Sequence, residues 1–253
     1  MLINMNNTKQ LIIGLAGIKN SGKDTATSML YYILRNGTAG TFRDWSITCD
    51  VPNGNNNMPT VHFADYCKEV LSNLLGIDLK YFYSRKHKDE LWYAFDTKVF
   101  LNDDGVRMHH YYTIESIHLT AKPLGDFMNY NNGKVCIKIR TLMQYFGTDV
   151  IRRVLGDNIW VNKTIRDANY LLNKYNVCFI PDVRFNNEAE AIRRQQGGCV
   201  IKLNRKAEVE DTHASELLNI NDNNIDIVVD NNDTKMVLFY NLINALKHVS
   251  SKT

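Results

Sequence analysis

The chain has 253 residues, 44% of them hydrophobic and 23% charged, and 30 Lys and Arg against 27 Asp and Glu leave a formal charge of +3. That balance is ordinary for a globular protein and too near neutrality to mark a nucleic-acid surface, so direct nucleic-acid binding is not expected. Five scattered cysteines without C-x-x-C spacing argue against a disulfide framework and a zinc site and for a reducing compartment, and no 18-residue apolar run or signal-peptide order exists, so a soluble, cytoplasmic protein without membrane attachment is expected.

Near the N-terminus, Gln10-Leu11-Ile12-Ile13 has the β-branched content of a buried strand. Gly14 to Thr25 follows, and then Ala26 to Leu34 with apolar residues at Met29, Leu30, Ile33 and Leu34, the stripe of a helix resting on a sheet. Strand, glycine loop and helix are the context that a G-x-x-x-x-G-K phosphate loop requires, and Gly17, Gly22 and Lys23 supply the spacing. Glycines let consecutive N–H groups turn toward one anion, and the helix N-terminus adds partial positive charge. Lys23 is a point charge for the terminal phosphates of a nucleoside triphosphate. The candidate ATP-binding set is therefore Gly17, Asn20, Ser21, Gly22, Lys23, Asp24 and Thr25. Asp24 stands where Ser or Thr usually meets Mg²⁺, and a hydroxyl comes one place later at Thr25.

Asn36-Gly37 ends the first helix, and Thr38 to Pro59 has turn composition and reads as an exposed loop. Thr60 to Ala64 reads as the second strand, Asp65 to Leu75 as a helix, and Asp78 to Phe95 as another helix with a cationic surface at Arg85-Lys86-His87-Lys88. Residues 96–138 read as an inserted region within one domain spanning 1–253, a lid or a dimer contact. Lys98–Leu101 and Val106–Met108 flank Asn102-Asp103-Asp104-Gly105 as a hairpin would. His109-His110 has no partner at metal-ligand spacing and reads as structural. Arg140 to Leu155 returns to helical periodicity, interrupted by Gly147, and gathers Arg140, Gln144, Asp149, Arg152 and Arg153. Adjacent arginines cannot face the same way, so only one of Arg152 and Arg153 points inward; Arg152 is favoured.

A helix follows over 157–175, then the buried strand Val177-Cys178-Phe179-Ile180-Pro181-Asp182, which ends in an acid suited to Mg²⁺. Val183 to Glu188 leads into a helix reaching Gln196; strands at 200–203 and 225–230 and a helix at 236–249 complete the chain. Strands alternating with helices predict an α/β fold with a largely parallel central sheet flanked by helices, of the P-loop NTPase type.

The loop, Arg140-x-x-x-Gln144-x-x-Gly147-Thr148-Asp149, Trp160, Asp182-Val183-Arg184-Phe185-x-Asn187-Glu188 and His213-Ala214-Ser215-Glu216 occur in that order. The ordered set resembles the deoxynucleoside monophosphate kinases of tailed coliphages, of the T-odd type. Animal phosphomevalonate kinases are similar in the loop, the arginine–glutamine helix and the strand-end D-x-R. The resemblance implies ATP-dependent phosphorylation of deoxynucleoside monophosphates of several bases with Mg²⁺, in the service of phage DNA synthesis in the host cytoplasm, and it suggests a homodimer.

On that reading Lys23, Arg140, Asp182 and Arg184 are the catalytic candidates, and Thr25, Asp24 and Asp182 the metal candidates. Arg140, Gln144, Thr148, Arg152, Trp160, Glu188 and Glu216 are the candidates for the acceptor deoxynucleotide, because guanidinium forks match phosphate oxygens and an amide pairs with a base edge. Trp160 also fits a core position, and Glu188 a first-turn carboxylate facing a helix dipole. Two alternatives remain open here: a small-molecule kinase of the phosphomevalonate or dephospho-coenzyme A type, and a non-catalytic nucleotide sensor.

Overall fold

The computed structural model describes residues 10–50, 58–90, 92–94, 100–101, 107–108, 129–131, 134–206 and 218–252. In chain order the elements are β1 (Leu11–Ala16), α1 (Lys23–Asn36), α2 (Phe42–Thr48), α3 (Asp65–Leu75), α4 (Lys80–Tyr83), α5 (Arg85–Glu90), β2 (Trp92–Ala94), β3 (Phe100–Leu101), β4 (Arg107–Met108), β5 (Asn129–Asn131) and β6 (Lys134–Lys138). Then come α6 (Ile139–Gln144), a π-helical segment Tyr145–Arg152 closed by the turn Arg153–Leu155, α7 (Ile159–Tyr175), β7 (Val177–Val183), α8 (Asn186–Arg193), β8 (Gly198–Asn204), β9 (Ile227–Asp230) and α9 (Lys235–Lys252). No helix among the described residues is long and apolar enough to cross a membrane. The chain divides into two compact units, residues 1–63 with 161–253, and residues 64–160.

The first unit is built on a parallel sheet in the order β7-β1-β8-β9. This is the α/β architecture expected from the alternating pattern. Side chains of β1 alternate between its two faces. Leu11, Ile13 and Leu15 join the core formed with α1 and α9, whereas Ile12 and Ala16 join the one formed with α7 and α8. All of β1 is buried, as a central strand covered on both faces must be. Each fully buried Leu, Ile or Phe side chain contributes about 1.5–3 kcal/mol, so these two cores hold the sheet. Gly14 lets α8 pack closely on β1, since a Cβ there would come within 2.7 Å of Ile192 Cδ1.

Three local expectations are corrected in this unit and its neighbour. Thr38 to Pro59 is not all loop. Thr41 caps α2 by accepting the Asp44 N–H at 3.2 Å, and α2 buries Trp45, whose indole donates to Ser28 Oγ on α1 at 3.0 Å. A seven-residue helix carries too few apolar repeats to stand out beside the turn-forming residues around it. The strand expected at 60–64 reduces to a one-residue parallel bridge from Thr60 to Phe179, with Val61 N–H donating to the Phe179 carbonyl. The long helix expected at 78–95 is broken where Ser84 turns extended (φ −67°, ψ 120°), and its last part, Trp92–Ala94, is the strand β2.

The second unit holds an antiparallel sheet in the order β2-β6-β5 and the β3–β4 ribbon, so the hairpin expected around 102–105 is present in its backbone pairing. Its core gathers Cys67 and Leu71 of α3, Phe82 of α4, Ile137 of β6, Ile139 and Leu142 of α6, Tyr145 and Val150 of the π-helical segment, and Trp160. Most of the inserted region 96–138, with His109 and His110, lies outside the described residues.

Candidate functional site

The loop between β1 and α1 is the candidate site of the first unit. From β1 the chain crosses toward Thr60 on the far side of β7, and from β7 it crosses back over β1 to β8. The carboxyl ends of β1 and β7 therefore form a topological switch point, where open α/β sheets bind ligands. The loop opens there. Ser21 is fully buried, and Asn20 and Gly22 both take left-handed conformations, with φ of 64° and 89°. Asparagine tolerates that region better than other side chains, and glycine tolerates it best. Gly17 has no room for a side chain, because a Cβ would stand 2.5 Å from Ser21 Oγ and 3.1 Å from the Leu203 carbonyl oxygen.

Lys23 is the first residue of α1, and its Nζ donates to the carbonyls of Gly17 at 2.7 Å and Ile18 at 2.8 Å and to Ser21 Oγ at 3.4 Å. The ammonium thus draws the Gly17 and Ile18 carbonyls of its own loop toward itself, while the Ser21 N–H closes a turn on the Ile18 carbonyl at 3.2 Å. Asp24 is exposed and Thr25 half-buried in the first turn of α1. Thr27 donates its hydroxyl to the Lys23 carbonyl at 2.8 Å, which secures that turn.

Beside the loop, the register pairs Ala16 of β1 with Val183 of β7, which sets Asp182 at the level where β1 ends. Asp182 Oδ1 accepts the backbone N–H of Phe63 at 3.0 Å, so the carboxylate is held in place. Arg184 and Phe185 both donate their backbone N–H groups to Glu188 Oε2, at 2.8 and 3.0 Å. Glu188 is buried and caps the start of α8 by accepting these two N–H groups, fixing the backbone that carries Arg184.

Asn231, just past β9, is a contributor that no motif flagged. It is 7% exposed, and its Nδ2 donates to the Ser21 carbonyl at 2.7 Å. It lies far along the chain from the loop, in a stretch of asparagines that reads only as a turn, so spacing within the motif gives no sign of it.

The acceptor candidates Arg140, Gln144, Thr148, Arg152 and Trp160 all lie in the second unit. Arg140 and Gln144 are half-buried on α6, and Thr148 is half-buried in the π-helical segment. Of the adjacent arginines, Arg152 is buried and Arg153 exposed, as the sequence favoured. The π-helical winding matters for this set. An α-helix turns about 100° per residue, so a step of four residues drifts about +40°. A helix closed by i→i+5 bonds turns only about 80–85° per residue, so the same step drifts back by about 30°. Arg140, Gln144, Thr148 and Arg152 are four apart; π-winding over the second part of this run reduces their angular drift, whereas a continuous α-helix would carry Arg152 roughly 120° away from Arg140.

Trp160 is a core residue at 5% exposure, and its indole donates to the Gly147 carbonyl at 2.9 Å. The more exposed Tyr66 meets it edge-on, with ring centroids 5.9 Å apart. At Gly147 a Cβ would lie 3.1 Å from Cys67 Sγ, so a larger residue there requires Cys67 to give by a few tenths of an ångström. Next to Cys67, the buried Lys68 pairs with Asp65 at 2.8 Å and stands 4.1 Å from the centre of the Tyr83 ring, whose hydroxyl also donates to Asp65. Burial pushes the Cys67 thiol up to about 12, against the opposing pull of Lys68 and Arg152. It is a neutral packing group and not a nucleophile. Glu216, with His213, Ala214 and Ser215, lies outside the described residues.

A family model of deoxynucleotide monophosphate kinases matches residues 79–242. The deoxynucleotide monophosphate kinase of Enterobacteria phage T4 is 28% identical over 258 aligned positions, covering 93% of this chain and 98% of that protein. A deoxynucleotide monophosphate kinase-type protein of Acanthamoeba polyphaga mimivirus is 34% identical over 122 residues, 44% of this chain and 62% of that protein. These matches carry the first of the three readings drawn from the sequence. With the family pattern running through more than half its length, the chain belongs to the deoxynucleotide monophosphate kinase family.

Proposed function

We propose that this protein transfers the terminal phosphoryl group of ATP to deoxynucleoside monophosphates, forming ADP and deoxynucleoside diphosphates. The observation that carries the reading is the loop at the switch point, in which Lys23 Nζ is fixed on the Gly17 and Ile18 carbonyls next to the strand end that bears Asp182. Phosphoryl transfer asks for positioning and positive charge more than for covalent chemistry. The loop amides and the N-terminus of α1 bind the donor phosphates, and Lys23 meets charge at the terminal phosphate as the bridging oxygen departs.

Mg²⁺ fits the residues present. It prefers hard oxygen ligands and binds through one or two carboxylates together with substrate phosphates and water, so a site with few protein ligands suffices. Asp182, steadied by the Phe63 N–H, and the Thr25 hydroxyl are the oxygens that would hold it, with Asp24 at the exposed edge of the same turn. When bound it supplies neutralising charge for the donor phosphates.

Arg184, set by the Glu188 cap, is assigned to the transferring group. Arg140, Gln144, Thr148 and Arg152 are assigned to the acceptor, with arginine on the monophosphate and the glutamine amide on the base edge. Trp160 acts beneath this set as the support of Tyr66, which offers an exposed ring face for a base. An enzyme of this kind works in the cytoplasm of the host cell.

The test is ADP formation from ATP and Mg²⁺ with each deoxynucleoside monophosphate, each ribonucleoside monophosphate and phosphomevalonate added in turn. Stimulation by several deoxynucleotides, lost in Lys23→Ala, is the expected result. Stimulation by phosphomevalonate alone, or ATP binding without acceptor-dependent turnover, would overturn the reading.

A further inference from the structure

Asn231 is tied to the sheet as well as to the phosphate loop. Its backbone N–H donates to the Asn204 carbonyl at the end of β8 at 2.9 Å, and its side chain reaches the Ser21 carbonyl at 2.7 Å. The neighbouring Asn232 reinforces the same corner: its Oδ1 accepts the Lys206 N–H at 2.7 Å, and its Nδ2 donates to the Asn204 carbonyl at 3.3 Å. The amide of Asn231 is therefore offered to the loop from two paired strand ends.

A trans peptide is planar, and its C=O and N–H point in opposite directions. Holding the Ser21 oxygen on Asn231 therefore aims the Gly22 N–H to the side of the loop away from Asn231. Sterics enforce the same arrangement. Gly22 has φ of 89°, and a Cβ there would lie 2.6 Å from Asn231 Nδ2, so the asparagine fills the space that any other residue at position 22 would need. A buried carbonyl that lost this donor would carry the cost of an unsatisfied polar group, and the peptide would be driven to rotate.

We propose that Asn231 is a positioning residue for phosphoryl transfer: by holding the Ser21–Gly22 peptide it presents the Gly22 N–H to the polyphosphate of the donor nucleotide. The inference rests on the donor reading of the loop given above. It makes the last strand of the sheet, rather than the motif alone, the element that sets the loop's donors. Removal of Asn231 then weakens binding of the nucleoside triphosphate and slows transfer, while acceptor affinity stays where it is.

The experiment is calorimetric titration of ATP with Mg²⁺ into the wild type, Lys23→Ala, Asn231→Ala and Asn231→Asp, together with KM for ATP and for a deoxynucleoside monophosphate and a thermal melt of each. Asn231→Asp keeps the shape but replaces the donor by an acceptor-only carboxylate, which meets the Ser21 carbonyl lone pair to lone pair. The expected result is an ATP dissociation constant raised about tenfold in Asn231→Ala, the size of one hydrogen bond, and more in Asn231→Asp. The deoxynucleotide KM stays within about twofold under the same relation. Should Asn231→Asp fail to fold, Asn231→Ser, whose hydroxyl falls short of the carbonyl, is judged by the same criterion. ATP affinity unchanged in a folded variant, or lost in equal measure with acceptor affinity, would overturn the inference alone. A wild-type protein that binds no ATP would overturn the functional reading and the inference with it.

Discussion

The two units of this chain build binding groups by different means. In residues 1–63 with 161–253, the phosphate loop is a backbone device: left-handed Asn20 and Gly22, a crowded Gly17 and a lysine bonded to the loop's own carbonyls. In residues 64–160, the candidate groups are side chains of one helix, and their angular drift is reduced by eight residues wound as a π-helix. The first kind of site is written in residue types at fixed spacing, because only certain residues permit the backbone shape. The second is written in the winding of the helix, which many sequences share.

The largest effect should come from the backbone-built side. On the proposed reading, Lys23→Ala removes the charge that meets the terminal phosphate and should lower turnover by about 10²–10³-fold, with a smaller loss of melting temperature than turnover alone would suggest. Gly22→Ala should act on both counts. The left-handed φ costs about 1–2 kcal/mol in a residue with a Cβ, and that Cβ would collide with Asn231 Nδ2 at 2.6 Å. ATP titration and thermal melting should move together in Gly22→Ala and apart in Lys23→Ala. Equal melting losses in the two variants would break the distinction between a residue that shapes the loop and one that acts on phosphate.

That distinction also explains what the sequence let one read. The strand, loop and helix around Lys23, the parallel sheet and Asp182 at the end of β7 follow from periodicity and motif, since buried parallel strands need continuous apolar runs such as Val177 to Ile180. Trp45 and α2 were hidden because a single buried tryptophan on a short helix leaves no periodic trace. Asn231 was hidden because its partner is a backbone carbonyl, which every residue has. In the second unit the residue types at Arg140, Gln144, Thr148 and Arg152 were legible, but the winding that reduces their angular drift was not. Trp160 shows the limit from the other side: an aromatic in a motif can be the floor beneath an exposed ring rather than the ring itself.

The second unit's side-chain logic is sharpened by the adjacent arginines. Arg152 is buried, so truncation to Ala removes packing and strands the groups around it; the expected cost is about 2–3 kcal/mol in chemical denaturation, with a raised KM for the deoxynucleotide. Arg153 is exposed, and Arg153→Ala should stay within about 0.5 kcal/mol. Similar costs for the two would show that the π-helical winding does not set which arginine points inward. Gln144→Ala should raise the deoxynucleotide KM with little change in stability, since it removes one amide contact from a half-buried position.

The smallest effect separates the units least, and for that reason tests the packing of both. Burial pushes the thiols of Cys67, in the second unit, and Cys178, in the first, up to about 12 from an ordinary 9.0; Lys68 and Arg152 pull against burial at Cys67, while Asp167 adds to it at Cys178. A raised thiol pKa means the folded state keeps a proton that the unfolded state gives up. The associated stability is fully present below about pH 9 and is lost as pH rises toward 12, by on the order of 1 kcal/mol per pH unit for each thiol. Denaturation midpoints should therefore be flat from pH 7 to 8.5 and decline above pH 9, and Cys67→Ala should flatten part of that decline. Thiol titration at pH 8 should modify Cys49 in the native protein and leave Cys67 and Cys178 protected until denaturant is added. A decline that Cys67→Ala leaves untouched would place the alkaline weakness in Cys178 and the sheet, and would mark the core of residues 64–160 as open to water.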